Sequence, residues 1–250
     1  MPKFFIKNNQ INEDIIEIIG TDVNHIVNVL RLKIDDIIQV CDEDMGVNFN
    51  AKILEFNKES VNCKIVEKLD LVTEPNIYIN IFQGLPKAEK MELIIQKCTE
   101  LGIKEITPVE TERSIVKLDC KSASKKQERW QKIAEVAAKQ SGRNIIPKIN
   151  NLTNIKNICN ILKDYDIVLV PYENEKNITL KEILKSLPKE NLKIAIVIGP
   201  EGGFEKKEIE FLEHNNCKIV TLGKRILRTE TVAMAMTSVI LYELGDFGGV

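Results

Sequence analysis

Between positions 37 and 65 apolar and polar residues take turns along the chain. Val40, Val47, Phe49, Ala51 and Ile53, then Val61, Cys63 and Ile65, carry the spacing of a half-buried sheet, and "DEDMG" between them is a hairpin turn. With "KFFI" ahead and "SVNCKIVEKL" behind, residues 1–72 predict a small β-barrel. One helix interrupts it at "TDVNHIVNVLR", where Thr21 or Asp22 can cap and Ile26, Val29 and Leu30 form an apolar stripe.

The pattern changes at "LVTEPN", where a proline separates two periodicities and sets a boundary between residues 1–72 and 73–250. Beyond it, strand-like runs ("IYINIFQG", "EITPVE", "DIVLVPYE", "LKIAIVIGP", "CKIVTLG") alternate with helical ones. That order predicts an α/β domain, a mostly parallel sheet flanked by helices. Ligands on such sheets sit beyond the carboxyl ends of the strands, which here lead into "VPYEN", "IGPEGG" and "LGKRILRTET". The last helical run, "TETVAMAMTSVILYEL", is apolar almost all round, with small residues on one side and Thr229 or Thr231 as its cap. Such a helix is expected to be buried, within its own domain or against a partner.

Composition narrows the class. A chain of 250 residues, 44% hydrophobic and 29% charged, is that of a soluble globular protein. No apolar run approaches the roughly 20 residues that span a bilayer, and "MPKFFIKNNQ" lacks a signal peptide's apolar stretch, so a cytoplasmic location and no membrane partner are expected. Six cysteines lie scattered without a CxxC pair, and two histidines cannot complete a zinc site, so no metal is expected. The net charge of -2 is unevenly spread: residues 1–74 hold 8 Lys/Arg against 14 Asp/Glu, whereas residues 113–148 hold ten basic residues and three acidic ones. The second stretch could face a phosphate backbone or be a solvated lysine-rich helix face.

The glycine turn at "VIGPEGGFEKKEIEF" is the most informative stretch. A strand running into glycines beneath a helix N-terminus leaves peptide N–H groups uncovered. Phosphate is a poor fit, because Gly203 is followed by Phe204 and Glu205 where a Walker loop needs lysine and a hydroxyl, and Glu201 sits inside the turn. A cationic or hydrogen-bond-donating ligand is tolerated. There is no Ser-His-Asp set, so hydrolysis is a weaker reading than a reaction in which a reactive cofactor is positioned.

Taken together, "IGPEGGF" and "LGKRILRTETVA", preceded by "LPKAEKMELIIQKCTELGIKEITPVETERS" and "ERWQKIAEVAAKQSGRNIIP", resemble the bacterial 16S ribosomal RNA uridine-N3 methyltransferases of the SPOUT superfamily, over essentially the whole chain. "MPKFFI" and "HIVNVLR" resemble that family's PUA-like domain. The resemblance implies a C-terminal trefoil knot holding S-adenosylmethionine, and a homodimer packed through the knot domain. By position it implies cofactor contacts from Pro171 and Tyr172, from Gly199, Glu201, Gly202 and Gly203, and from Leu222, Gly223, Ile226, Leu227 and Arg228. It implies N3 methylation of a uridine in 16S rRNA, free or in the assembled 30S subunit. Arg228, Arg113 and Arg143 are candidates to stabilise the anionic base or hold phosphates, and Glu230 is a candidate proton acceptor. Lys3, His25, Arg31, Lys87, Lys90, Arg113, Arg129 and Arg143 are the candidate RNA contacts. A side chain at Gly202 is expected to fill the adenosine space and to resist a positive φ there. Val232 departs from the alanine usual at its position. The rival readings are a non-catalytic RNA-binding module on the same fold and a SPOUT enzyme acting on ribose or guanine.

Overall fold

A computed structural model describes residues 1–189 and 191–248. Contacts divide the chain into two compact units, Met1–Glu74 with Ala138–Ile146, and Pro75–Ala137 with Pro147–Val250. The proline at position 75 opens the second unit, but the return of nine residues to the first follows no hydrophobic pattern.

In the first unit six strands form one curled sheet: β1 (Lys3–Ile6), β2 (Ile11–Asn12), β3 (Ile15–Ile19), β4 (Ile37–Asp42), β5 (Val47–Phe56) and β6 (Ser60–Leu69). Their order is β1-β4-β5-β6-β3-β2, antiparallel except for the β1–β4 pair. Alternation delivers Ile38, Val40, Ala51, Ile53, Val61 and Cys63 to one core with Phe4, Ile16 and Ile18. Register shifts between Asn50 and Ala51 and between Ile53 and Glu55 interrupt the β5–β6 ladder, as bulges that bend a sheet do.

The expected helix is shorter than its stripe predicts. α1 (Thr21–Asn24) passes into a wider turn at His25–Val29, with Gly20 at φ 76° as N-cap and no capping side chain. Of the stripe only Ile26 is buried; Val29 and Leu30 are exposed. Asp22 pairs instead with Lys139 at 3.0 Å, a partner 117 residues away that local capping rules cannot see.

In the second unit the strands are β7 (Tyr78–Gly84), β8 (Glu105–Glu110), β9 (Lys148–Ile149), β10 (Thr153–Asn154), β11 (Ile167–Pro171), β12 (Lys193–Ile198) and β13 (Lys218–Val220). All pairs are parallel, in the order β10-β8-β7-β12-β11-β13, with β9 also on β8. β7 and β12 are buried along nearly their whole length, as central strands covered on both faces must be. The helices are α2 (Lys90–Leu101), α3 (Cys120–Ser141), α4 (Ile155–Ile161), α5 (Leu180–Lys185), α6 (Lys206–His214) and α7 (Thr229–Leu244). α2 buries Met91, Ile94, Ile95, Cys98 and Thr99 on one stripe and ends at Gly102, whose φ of 110° only glycine adopts readily. α7 starts from Arg228 without a side-chain cap, because the Thr229 hydroxyl is engaged elsewhere.

Candidate functional site

The order β12-β11-β13 sets three neighbouring carboxyl ends side by side, so the loops after Ile198, Pro171 and Val220 open onto one edge. They enclose a cleft of about 460 Å³ lined by residues 171–173, 198–204, 221–223 and 225–229, with Lys90 and Val232. Pro171, Tyr172, Gly199, Glu201, Gly202, Gly203, Leu222, Gly223, Ile226, Leu227 and Arg228 all lie on its wall.

Close backbone packing explains the glycines. The turn closes through Gly203 N–H donating to Pro200 O at 2.9 Å, and Gly203 has φ 67°. The positive φ expected at Gly202 falls one residue later; a side chain at Gly202 would instead meet Arg113 Cβ at 3.1 Å. A Cβ on Gly84, at the end of β7, would lie 2.7 Å from Pro200 N, so only glycine lets β7 reach the floor of the turn. At Gly223 a Cβ would meet nothing within 4 Å, which leaves that wall open to a ligand.

The two walls are joined by one hydroxyl. Thr229 Oγ1 donates to Gly199 O at 2.7 Å and accepts from Gln83 Nε2 at 2.9 Å. The chain therefore leaves edge strand β13 and returns to the ends of the central strands β7 and β12 before α7 begins.

Charges around the cleft are ordered into pairs. Glu201, expected as a free carboxylate in the turn, accepts from Lys87 N at 3.1 Å and pairs with Lys90 Nζ at 3.0 Å. Burial pushes the Glu201 carboxyl up, but the Lys90 ammonium and two peptide N–H groups outweigh it and hold it below its usual range. Lys90 also lies 3.4 Å from Glu230 Oε2. That distance is ion-pair range, and the Glu230 oxygen is buried. Arg113 donates through Nε to Glu205 Oε1 at 2.8 Å and through Nη1 to Gly202 O at 2.9 Å, fastening the turn from outside. Arg225 and Arg228 are exposed at the rim.

Most of the remaining sequence candidates lie elsewhere. Lys3 is buried and donates to Gly142 O and Asn144 Oδ1; burial pulls its ammonium below the usual lysine range. Arg143 is 3% exposed, with Nη2 at 2.6 Å from Glu74 Oε2. Both charges work inside the first unit, and sequence alone cannot tell a buried cation from a displayed one. His25 is exposed, edge-on to Phe4, and Arg31 and Lys87 are exposed. Arg129 pairs with Glu92 at 2.8 Å beside a groove between α2 and α3, where Lys125 and Lys132 rise over Leu93 and Val136. Lys90 borders this groove and the cleft alike.

Sequence reasoning missed Gln83, Thr229 as a tether, and Glu173. Glu173 follows Tyr172 directly in "VPYEN", so its place in the strand-end loop was the available signal. Among the described residues no group of three or more metal-ligating side chains forms, and no helix is long and apolar enough to cross a membrane.

The site has close relatives. Residues 73–241 match the RNA methyltransferase domain model and residues 18–66 the RNA methyltransferase PUA domain model. The chain is 39% identical to the ribosomal RNA small subunit methyltransferase E of Bacillus subtilis over 97% of each chain. It is 32% identical to the protein of the same name from Mesomycoplasma hyopneumoniae, over 94% of this chain and 96% of that one. The crystal structure of the Neisseria gonorrhoeae ribosomal RNA small subunit methyltransferase E bound to S-adenosyl methionine superposes with a TM-score of 0.87, at 29% identity over 99% of both chains.

Proposed function

We propose a function from one premise: this chain belongs to the RNA methyltransferase family, among the ribosomal RNA small subunit methyltransferases E. It methylates N3 of a uridine in 16S rRNA with S-adenosylmethionine as donor. The observation that carries this reading is the single cleft made by three adjacent strand ends, where glycines 199, 202, 203 and 223 expose peptide groups. Its volume is within the range of cofactor pockets. The open wall at Gly223 fits a polar ligand.

S-adenosylmethionine supplies a methyl group on a sulfonium, already activated for displacement. The chain's own residues do the rest. Backbone groups of the 199–203 and 222–227 segments hold the adenosine, where glycine permits close approach. Uridine N3 must lose its proton to become a good nucleophile, and Glu230, in the first turn of α7 and paired with Lys90, is the candidate acceptor. Arg228, exposed at the rim, offsets the negative charge that ionisation leaves on the base. Lys87, Arg129 and the groove beside α2 carry flanking phosphates, and His25 and Arg31 offer exposed contacts in the PUA-like unit. Lys3 and Arg143 serve the fold of that unit instead.

Three finer features belong to the same reading. The return of the chain from β13 to β7 and β12 supports a trefoil knot, one of the rare exceptions to unthreaded topology. The exposed apolar Val239 and Tyr242 on α7 support a homodimer through this domain. The substrate is 16S rRNA or the assembled 30S subunit in the cytoplasm.

The test is methyl transfer from labelled S-adenosylmethionine to unmodified 30S subunits and to naked 16S rRNA, followed by mass mapping. Label in N3-methyluridine is expected. Label on ribose or guanine overturns the substrate, and lack of donor binding at millimolar concentration overturns the enzyme in favour of an RNA-binding module.

A further inference from the structure

Two carboxylates line the cleft, and they are in different electrostatic states. Glu201 is neutralised by Lys90 and by the Lys87 N–H. Glu173 is exposed in the loop after β11 and makes no hydrogen bond or ion pair with any described residue. It stands beside the glycine turn, with Oε1 3.1 Å from where a Cβ on Gly203 would stand. Arg113 acts on it through the longer-range field alone, its Nε and Nη1 donating to Glu205 and the Gly202 carbonyl. The other cations of the cleft are Lys90, held between Glu201 and Glu230, and Arg225 and Arg228 at the rim.

An unpaired carboxylate in a cleft that also bears cations is a recognition group rather than a structural one. Its partner must bring positive charge, and it must approach along the backbone that Gly203 leaves bare.

We propose that Glu173 is the counter-charge for the cationic part of the methyl donor and makes the cleft selective for a charged nucleoside over a neutral one. This rests on the reading of the cleft as a donor site. Glu201 sets the shape of the turn, and Glu173 supplies its charge selectivity. A carboxylate at this distance from an incoming ammonium or sulfonium strengthens binding of the charged ligand and leaves a neutral adenosine alone.

Calorimetry on the full chain separates the two ideas. Wild type and Glu173→Gln are titrated with S-adenosylmethionine and with neutral 5′-methylthioadenosine, and their melting temperatures are compared. The isosteric variant is expected to melt with wild type and to lose about fivefold in affinity for S-adenosylmethionine, less at high salt, with methylthioadenosine affinity unchanged. Unchanged S-adenosylmethionine affinity in the variant overturns the assignment of Glu173, and so does an equal loss for both ligands. Failure of wild type to bind S-adenosylmethionine overturns the donor site itself.

Discussion

Arg113 Nη1 lies 2.9 Å from the carbonyl oxygen of Gly202, with Arg113 Cβ directly beneath the glycine. The residue read from sequence as an RNA contact thus braces the turn of the cleft, and Glu205, at the start of α6, accepts from its Nε. Arg113→Ala is therefore expected to weaken S-adenosylmethionine binding about fivefold. Calorimetry decides; an unaltered dissociation constant would show that the turn supports itself.

Gly203→Ala forces a side chain into a φ of 67° and against the Glu173 carboxylate. A cost of about 1–2 kcal/mol follows from the left-handed conformation alone. Gly84→Ala has no strained φ to relieve but meets the backbone of Pro200 at 2.7 Å, which cannot swing aside, and overpacking of this kind costs about 1–3 kcal/mol. Both losses are measured by denaturant unfolding of the second unit's signal, and wild-type midpoints would contradict the close approach.

Arg143→Ala tests the buried pair in the first unit. Glu74 accepts from the Arg143 guanidinium and from the N–H groups of Asn144 and Ile145. Removing one partner of such a pair leaves an uncompensated buried charge, a loss of about 3–5 kcal/mol. Faster hydrogen exchange at Asn144 and Ile145 is expected; exchange at the wild-type rate would return Arg143 to the list of RNA contacts.

Glu201 gives a pH dependence with a definite sign. Its folded carboxyl is held below the ordinary glutamate value of roughly 4.3. The stability it contributes is complete above that value and disappears as the pH falls through the depressed folded one. Lys90→Met leaves the burial and removes the ammonium, so Glu201 should titrate at higher pH than in wild type. An NMR titration of the side-chain carboxyls reads this directly, and coincident curves would mean that Lys90 does not hold Glu201 in solution.

Val239→Glu places a charge on the exposed apolar face of α7. If that face pairs two copies, sedimentation will show the variant at half the wild-type mass. An unchanged mass moves the interface elsewhere.

The periodicities of the sequence determined the main strands of both units and the alternation in the second, because side chains two or three to four positions apart share a face whatever the rest of the chain does; short elements such as β3, β9 and α5 were not read from it. Motif spacing likewise placed the glycine turn and the basic segment near α7 at neighbouring strand ends. Tertiary structure decided what local rules cannot carry. It chose which cations are displayed and which, like Lys3 and Arg143, are consumed inside the fold. It turned Glu201 toward Lys90 and left Glu173 open. It gave the Thr229 hydroxyl to Gly199 rather than to its own helix. Each of these is a contact between residues far apart in sequence, and the energy of a charge or hydroxyl depends on the dielectric and the partner it meets, which exist only once the chain has folded.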